Sequence, residues 1–220
     1  MDEIKIKELW QSSNEKLEQS LLLSKKNTED ITKMKVQSLL SSMKPLKIFT
    51  ILVGILWVGL GSVIIINLFI NSLEYVSPFF LFSASIQLLL TAVALVIYLY
   101  QLVLIHQVDV SEPILATQEK LASLKTSTLW IARILFLQLP VWTTFYLTES
   151  MFENGQTIFF IVQGSVTFSF TYLAIWLFLN IKYENKDKKW FKLIFDGKEW
   201  TPVIKSMELY KEIEAFKQGT

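Results

Sequence analysis

The sequence predicts an all-α polytopic membrane protein with four transmembrane helices, arranged as two hairpins, plus cytoplasmic amphipathic helices. Four long stretches are apolar and almost free of charge, which is typical of membrane-spanning helices. These stretches are continuous, whereas the strands of a membrane barrel alternate between apolar and polar residues. Apart from Arg133, which lies within the third stretch, Lys and Arg are confined to the two terminal segments and the middle connector, as expected when the connectors lie on two sides of a membrane.

The four predicted spans differ in strength. They cover residues 48–70, 79–105, 129–147 and 158–181 of a transmembrane domain, residues 46–181, between an N-terminal helical segment, 1–45, and a C-terminal amphipathic tail, 182–220. The third span is the weakest, because Arg133, Gln138 and Pro140 lie within it. A proline removes one helical hydrogen bond, so we expect a kink at Pro140 and a freed carbonyl near Phe136.

The distribution of positive charge predicts the orientation. All 21 Lys and Arg residues fall within residues 1–47, 120–133 and 182–217, and the connectors after the first and third spans contain none. Because positively charged segments stay in the cytoplasm, both termini and the middle connector are predicted to be cytoplasmic. The polar N-terminal segment does not resemble a cleavable signal peptide, so the first span is predicted to act as an uncleaved anchor.

One phrase occurs twice, as "SEPILATQEKLASLK" at residues 111–125 and "WTPVIKSMELYKEIE" at residues 200–214. Each copy has Pro, two aliphatic residues, any residue, a hydroxyl residue, any residue and Glu. Proline is favoured in the first turn of a helix. Each phrase therefore predicts a cytoplasmic helix that follows a hairpin, the first over residues 111–126.

Two explanations of the repeated phrase stay open. A tandem duplication of a unit, a hairpin followed by a capped cytoplasmic helix, would produce it. Alternatively, any hairpin that leaves a membrane uses Pro, Lys and Glu in this way. In either case Asp109 with Glu112, or Ser111, is the predicted cap of the first helix, and Thr201 is the predicted cap of the second.

The N-terminal segment is polar, contains neither Gly nor Pro over residues 2–44, and carries apolar residues at a loosely helical spacing. The spacing is not a sustained heptad, because serines and Asn27 occupy positions that a coiled coil would fill with apolar residues. We predict one amphipathic helix, or two with a break at residues 24–30, where Thr28 would cap the second. A solvated stem, an oligomerising or partner-binding helix and a helix lying on the inner leaflet all fit this pattern.

The C-terminal tail begins with "KYENKDKKWFKLIFDGKEW", residues 182–200, in which lysines are interleaved with aromatic residues. This mixture suits the anionic headgroup region of a membrane, where each Lys contributes about 1 kcal/mol. Trp190, Phe191 and Trp200 are therefore candidate contacts with lipid or a partner. Simple anchoring at the membrane edge, a docking site for a protein and a specific lipid site are the three interpretations.

The sequence offers little catalytic chemistry. It has one His and no Cys, so it predicts no disulfide, thiolate metal site or cysteine nucleophile. The net charge of +1 does not indicate a nucleic-acid partner, and no phosphate-binding, dinucleotide-binding or metalloprotease motif occurs. His106, with Asp109, Glu112 and Glu119 nearby in sequence, is the remaining candidate for metal binding or proton handling. We predict no cofactor, no metal and no enzymatic activity.

Arg133 is the only arginine, and it lies about one turn inside the third predicted span on the cytoplasmic side. Near the end of a span, an arginine can reach the interface and anchor the helix there. The alternative is a functional role, in which Arg133 pairs with Glu112 or Glu119 or binds an anion between helices.

Three glutamines in the predicted spans are candidates for intramembrane polar contacts: Gln87, Gln138 and Gln163. Such residues more often bond helices together than conduct a substrate, but a permeation path stays open as an interpretation. No acidic residue lies deep in any span, which disfavours an ion-coupled carrier. In the first span, Gly54, Gly59 and Gly61 would allow close approach of another helix.

Four stretches, "SMKPLKIFTILVGILWVG", "VDVSEPILATQEKLA", "LQLPVWTTFY" and "GKEWTPVIKS", resemble an uncharacterised family of small four-span bacterial inner-membrane proteins. The resemblance covers nearly all of residues 42–206. It implies a multi-pass protein of the bacterial inner (plasma) membrane, and it implies no particular activity.

The leading functional prediction is a non-enzymatic membrane scaffold or regulatory protein, because most polar residues lie on the predicted cytoplasmic side. The expected partners are membrane lipids and either a cytoplasmic protein or further copies of the chain, without nucleic acid. The alternative is an oligomeric permeation protein for a small molecule or ion. A third prediction, an enzyme acting on a lipid headgroup, rests on His106 alone.

Overall fold

The computed structural model describes residues 3–108, 114–197 and 200–218, with side chains at residues 7, 9–108, 116–197 and 200–209. All regular structure in these ranges is helical, as predicted. The elements are α1 (Glu3–Asn71), α2 (Pro78–Gln107), α3 (Ile114–Phe136), a 3₁₀ turn (Val141–Thr143), α4 (Glu149–Glu153), α5 (Thr157–Asn180), a second 3₁₀ turn (Tyr183–Asn185), α6 (Lys189–Phe195) and α7 (Thr201–Gln218).

Helix α1 runs without a break for 69 residues, or about 100 Å. The predicted break at residues 24–30 is wrong, because the Thr28 hydroxyl does not cap a new helix. It donates instead to the carbonyl of Ser24 at 2.9 Å, one turn earlier in the same helix. Pro45 also lies within α1 without ending it. The carbonyl that loses its donor belongs to Ser41, which is on the exposed side of the helix.

Three helices are long and apolar enough to cross a membrane: the apolar part of α1, α2 and α5. Most of their Leu, Ile, Val and Phe side chains face outward, and only 6% of the most apolar window of α5 is buried within the protein. Apolar side chains on the outside of a protein need an apolar surrounding, so these helices suggest insertion into a membrane.

The third predicted span is not one helix. Helix α3 is continuous from Ile114 to Phe136, so the predicted helix at residues 111–126 and the first half of the span at 129–147 form a single helix. The second half is a series of turns around Pro140. The carbonyl of Phe136, predicted to be freed by this proline, accepts a hydrogen bond from the Leu139 N–H at 3.1 Å.

Helices α1 and α2 pack closely along their apolar lengths. A Cβ atom placed at Gly61 would lie 2.7 Å from Leu88, and one at Gly54 would collide with Leu95. A Cβ atom at Gly59 would meet nothing within 4 Å. The prediction of close helix approach is therefore confirmed at Gly54 and Gly61 but not at Gly59.

At one end of the protein, α1, α2, α3 and α7 share an apolar core, which we call the basic-end bundle because most nearby surface charges are lysines. Its buried residues are Val36, Leu40, Met43, Leu104, Ile105, Val108, Leu121, Leu124 and Val203. Both helices of the repeated phrase, α3 and α7, contribute to it and pack against each other. Helix α7 begins at Thr201, the predicted cap position, which is one residue earlier than predicted. The predicted caps Asp109, Ser111 and Glu112 lie outside the described residues.

Candidate functional site

A buried lysine lies where the basic-end bundle meets the apolar part of the protein. Lys47 on α1 has only 1% of its surface exposed. Its Nζ atom donates to Gln101 Oε1 at 2.6 Å and lies 4.7 Å from the centre of the Tyr98 ring. A buried charge is costly unless polar groups surround it, so a buried lysine beside the apolar part of α1 is a candidate functional residue.

Gln101 connects this lysine to a third helix. The Gln101 side chain is fully buried, and its Nε2 atom donates to Ser127 Oγ at 3.1 Å and Thr128 Oγ1 at 2.9 Å. An ammonium group only donates hydrogen bonds, so Lys47 fixes the amide with its oxygen toward α1 and its nitrogen toward α3. We call Lys47, Gln101, Ser127 and Thr128 the Lys47 network. It joins α1, α2 and α3 through side chains alone.

Sequence reasoning missed the Lys47 network, because a lysine before an apolar run is usually an interfacial anchor. One signal in the sequence could have found it. Val36, Leu40, Met43 and Lys47 follow one another at intervals of four, three and four residues. This spacing places all four on one face of a helix, and the first three form part of the bundle core.

The hydroxyl residues of the repeated phrase occupy equivalent buried positions. Thr117 on α3 and Ser206 on α7 are 1% and 0% exposed, and neither hydroxyl has a hydrogen-bond partner among the described residues. Small side chains at matching positions allow the two helices to pack closely. The phrase therefore specifies a contact face as well as a helix start.

Arg133 makes contacts other than the predicted ones. Its Nε and Nη2 atoms donate to the carbonyl of Ile181, at 2.9 and 2.6 Å, directly after the end of α5. The guanidinium carbon also lies 5.0 Å from the centre of the Trp130 ring. Arginine here satisfies a carbonyl that helix geometry leaves without a donor and complements the negative end of the helix dipole.

Glu119, one of the two predicted carboxylate partners of Arg133, does not take part in this contact. Glu119 is exposed, and it precedes Arg133 by fourteen residues of α3, about 21 Å along the helix. Glu112 lies outside the described residues, as does Asp109. His106 is exposed in the last turn of α2. Among the described residues no three His, Asp or Glu side chains gather as a metal site would require.

The aromatic residues of the tail pack against the protein itself. Phe191 is 2% exposed, and Trp190 and Trp200 are half-buried. Ring centres are 5.0 Å apart for Trp176 and Trp190, 4.2 Å for Phe191 and Phe195, and 4.3 Å for Phe195 and Trp200. These contacts hold α6 against the end of α5, while contact of Trp190, Phe191 and Trp200 with a partner or lipid stays a prediction.

The opposite face of α6 is available to other molecules. Leu193 is 86% exposed, and Lys189 and Lys192 beside it are exposed as well. An exposed leucine flanked by lysines suits the border between apolar chains and anionic headgroups. Nearby, the Tyr183 hydroxyl group lies 3.4 Å from Lys186 Nζ, and this hydrogen bond raises the pKa of Lys186.

Two of the three predicted intramembrane glutamines stabilise the irregular segment around Pro140. Gln163 Nε2 donates to the carbonyl of Thr143 at 2.7 Å, and Gln163 Oε1 accepts from the Tyr146 hydroxyl at 2.6 Å. Gln138 Nε2 donates to Thr91 Oγ1 on α2 at 3.2 Å. Such side-chain partners satisfy polar groups of a segment that does not continue as a helix.

Gln87 has a different environment. It lies on α2, about 14 Å from the start of the helix at Pro78, beside an apolar groove of about 580 Å³ that Trp57, Phe80 and Trp142 help to line. Within the described part of the chain, its side-chain amide has no hydrogen-bond partner. The three glutamines therefore do not form one connected set of contacts in these residues.

The N-terminal part of α1 extends beyond the bundle. The described side chains of residues 7–24 are all exposed, including Leu9, Trp10, Leu17 and Leu21. We call residues 9–31 the arm. Its base enters the basic-end bundle at Val36, so the arm is a continuous extension of a packed helix.

Fold and contacts together define an all-helical protein with three apolar helices suited to a membrane, a buried lysine network and an exposed helical arm. No protein-family model, curated protein or solved structure matches the chain. The resemblance to a four-span bacterial family stays a prediction.

Proposed function

We propose that the protein is a non-enzymatic membrane scaffold or regulatory protein, in which the apolar helices hold a cytoplasmic platform and arm for protein partners. The platform is the basic-end bundle together with α6. The observation that carries the proposal is the continuity of α1. One helix passes from the apolar region through the Lys47 network and the bundle core into the exposed arm.

We infer that the chain crosses the membrane four times, with both termini in the cytoplasm of a bacterial cell. The third crossing would combine α3 with the turns that follow it. The Ser77 hydroxyl donates to the carbonyl of Leu147, which brings the end of these turns beside the connector between α1 and α2. The lysines lie at the other end, as the positive-inside rule requires.

Affinity purification from native membranes in mild detergent, followed by mass spectrometry, tests the proposal. The full chain is compared with a variant that lacks residues 2–31, which removes the arm but keeps the bundle residues from Val36 onward. We expect a stoichiometric protein partner that is lost with the arm or with residues 183–220. A second variant lacks residues 183–220. If both shortened proteins insert correctly and still rescue every phenotype of a deletion strain, the proposal is wrong.

The alternative proposal, an oligomeric permeation protein, has less support. It depended on a polar path through Gln87, Gln138 and Gln163, but two of these side chains bond to neighbouring residues. Flux of small solutes into liposomes that contain the purified protein would favour it nonetheless. The third proposal, a lipid-headgroup enzyme, depends on His106, and full activity of a His106→Ala variant would remove it.

A further inference from the structure

The arm carries a stripe of exposed residues at alternating intervals of four and three. We call this stripe the arm seam; its members are Trp10, Asn14, Leu17, Leu21, Ser24, Thr28 and Ile31. Intervals of four and three keep residues on one side of a helix and are typical of coiled-coil contacts, although Asn14, Ser24 and Thr28 interrupt the apolar heptad. Trp10, Leu17, Leu21 and Ile31 are between 49% and 74% exposed, so nothing in the described residues covers the seam.

The seam is not a continuation of the face that packs in the bundle. The bundle face of α1 contains Val36, Leu40, Met43 and Lys47. Continuing the alternation of four and three residues backward from Val36 leads to Lys33 and Glu29, whereas the seam contains Ile31 and Thr28. The seam is therefore turned away from the direction in which α1 meets the bundle.

The seam is poorly placed to bind a membrane surface. A helix that lies on a membrane surface must bend sharply where it leaves a membrane-spanning helix. Helix α1 is unbroken between the arm and its apolar part, with Pro45 inside it, so no loop is present there to turn the arm onto a membrane surface. Since about 16 residues separate Ile31 from Lys47, the seam begins roughly 24 Å before the apolar region. At that distance from the apolar region, the seam can contact other proteins but not acyl chains.

We propose that the arm seam binds the arm of a second copy of this chain, as a parallel, in-register coiled coil. The inference rests on the proposed membrane placement and names one partner of the proposed scaffold. Two copies inserted in the same orientation carry their arms in the same direction and begin them at the same height. Each seam residue therefore faces its own counterpart across a two-fold axis.

The residues of the seam fit this arrangement. In heptad terms, Trp10, Leu17 and Ile31 occupy d positions, and Asn14 and Leu21 occupy a positions. Asparagine at an a position pairs with its counterpart and fixes register and the number of chains. The residues that would meet across the seam edges, Ser13 with Glu18 and Ser20 with Lys25, include no pair of like charges.

The polar members of the seam predict a reversible contact. Asn14, Ser24 and Thr28 bury no large apolar surface, so about half of the layers contribute little affinity. Pairing then depends on the local concentration that the membrane provides. Leu22 and Leu23 lie off the seam and stay available to another protein.

Single-cysteine crosslinking in isolated membranes tests the proposal, and the chain offers a clean background because it has no Cys. Leu21→Cys lies on the seam, whereas the matched control Leu23→Cys is off it; these leucines are 58% and 62% exposed. On mild oxidation we expect at least about five times more disulfide-linked dimer for Leu21→Cys, with Leu17→Cys behaving like Leu21→Cys.

Three results would overturn the proposal: equal crosslinking of Leu21→Cys and Leu23→Cys, no dimer for either seam variant, or a linked product with the mass of a different protein. The third result would keep the scaffold proposal while replacing the partner. Conversely, a seam-specific dimer without any co-purified protein would support this proposal and count against a heteromeric scaffold. Circular dichroism of each variant confirms that the arm is still helical.

Discussion

Two networks of polar side chains lie in different parts of the protein and have different structural roles. The Lys47 network joins α1, α2 and α3 by hydrogen bonds between side chains. The second network centres on Gln163 and joins α5 to the turns after α3, and it includes a main-chain carbonyl. The first surrounds a buried charge, whereas the second supplies a donor to the main-chain carbonyl of Thr143, at the end of the first 3₁₀ turn.

The comparison shows that polar residues within an apolar protein can have different structural roles. A network around a charge fixes which helices meet, because an unpaired buried charge is far more costly than an unpaired amide. A network around irregular backbone preserves a local shape. The comparison predicts that the same substitution, Gln to Leu, has very different effects in the two places and almost none at Gln87.

The largest effect is expected for Gln101→Leu. The substitution removes the acceptor of Lys47 Nζ and the donor to Ser127 and Thr128, so it leaves a buried ammonium group with one partner fewer. Loss of a hydrogen bond to a buried charged group costs about 1.5–3 kcal/mol. Unfolding of the purified protein by SDS in mixed micelles measures this loss.

The double variant Lys47→Met with Gln101→Leu is the control for that prediction. It removes the charge together with its acceptor, and methionine keeps much of the length of lysine. We expect the double variant to be more stable than Gln101→Leu alone, since its core no longer holds a charge that has lost a hydrogen-bond acceptor. A double variant that is as unstable as the sum of the two single variants would show that the two side chains are not coupled.

Gln163→Leu should have a smaller effect. It removes the hydrogen bonds to the Thr143 carbonyl and from the Tyr146 hydroxyl. Both groups are neutral, so their loss of a partner leaves no buried charge without an acceptor. The expected loss is about 1–2 kcal/mol in the same unfolding experiment. A loss as large as that of Gln101→Leu would contradict the distinction between the two networks.

The sequence predicted the apolar helices closely, because each is a long run without charge. Predicted spans at 79–105 and 158–181 agree with α2 and α5 to within two residues. It could not decide whether α1 was continuous, since Thr28 can cap a helix or bond back within one, and only the rest of the fold selects between them.

The contacts of the candidate site were less predictable for a physical reason. Lys47 and Gln101 are 54 residues apart, and nothing in the sequence indicates that their side chains make contact. Arg133 was recognised as unusual, but its partner is a main-chain carbonyl, which every residue carries. Predictions from side-chain charge therefore looked for carboxylates and missed the end of α5.

Arg133→Lys tests the contact at the end of α5. Lysine keeps the positive charge but cannot donate two hydrogen bonds to one carbonyl in the planar arrangement of a guanidinium group. We expect a loss of about 1 kcal/mol, and a larger loss for Arg133→Met, which removes the charge as well. Equal stability of Arg133→Lys and the parent protein would show that charge alone accounts for the contact.

The smallest effect is expected for Gln87→Leu, which completes the series of three substitutions. Its amide has no hydrogen-bond partner among the described residues and borders an apolar groove. Replacing it removes no bond and adds apolar surface, so we expect a change within about 0.5 kcal/mol, or a slight gain in stability. A clear loss, seen in native membranes and absent in detergent, would instead indicate that a membrane component bonds to Gln87. Gln87 would then be a third polar residue with a hydrogen-bond partner, and that partner would be a membrane component.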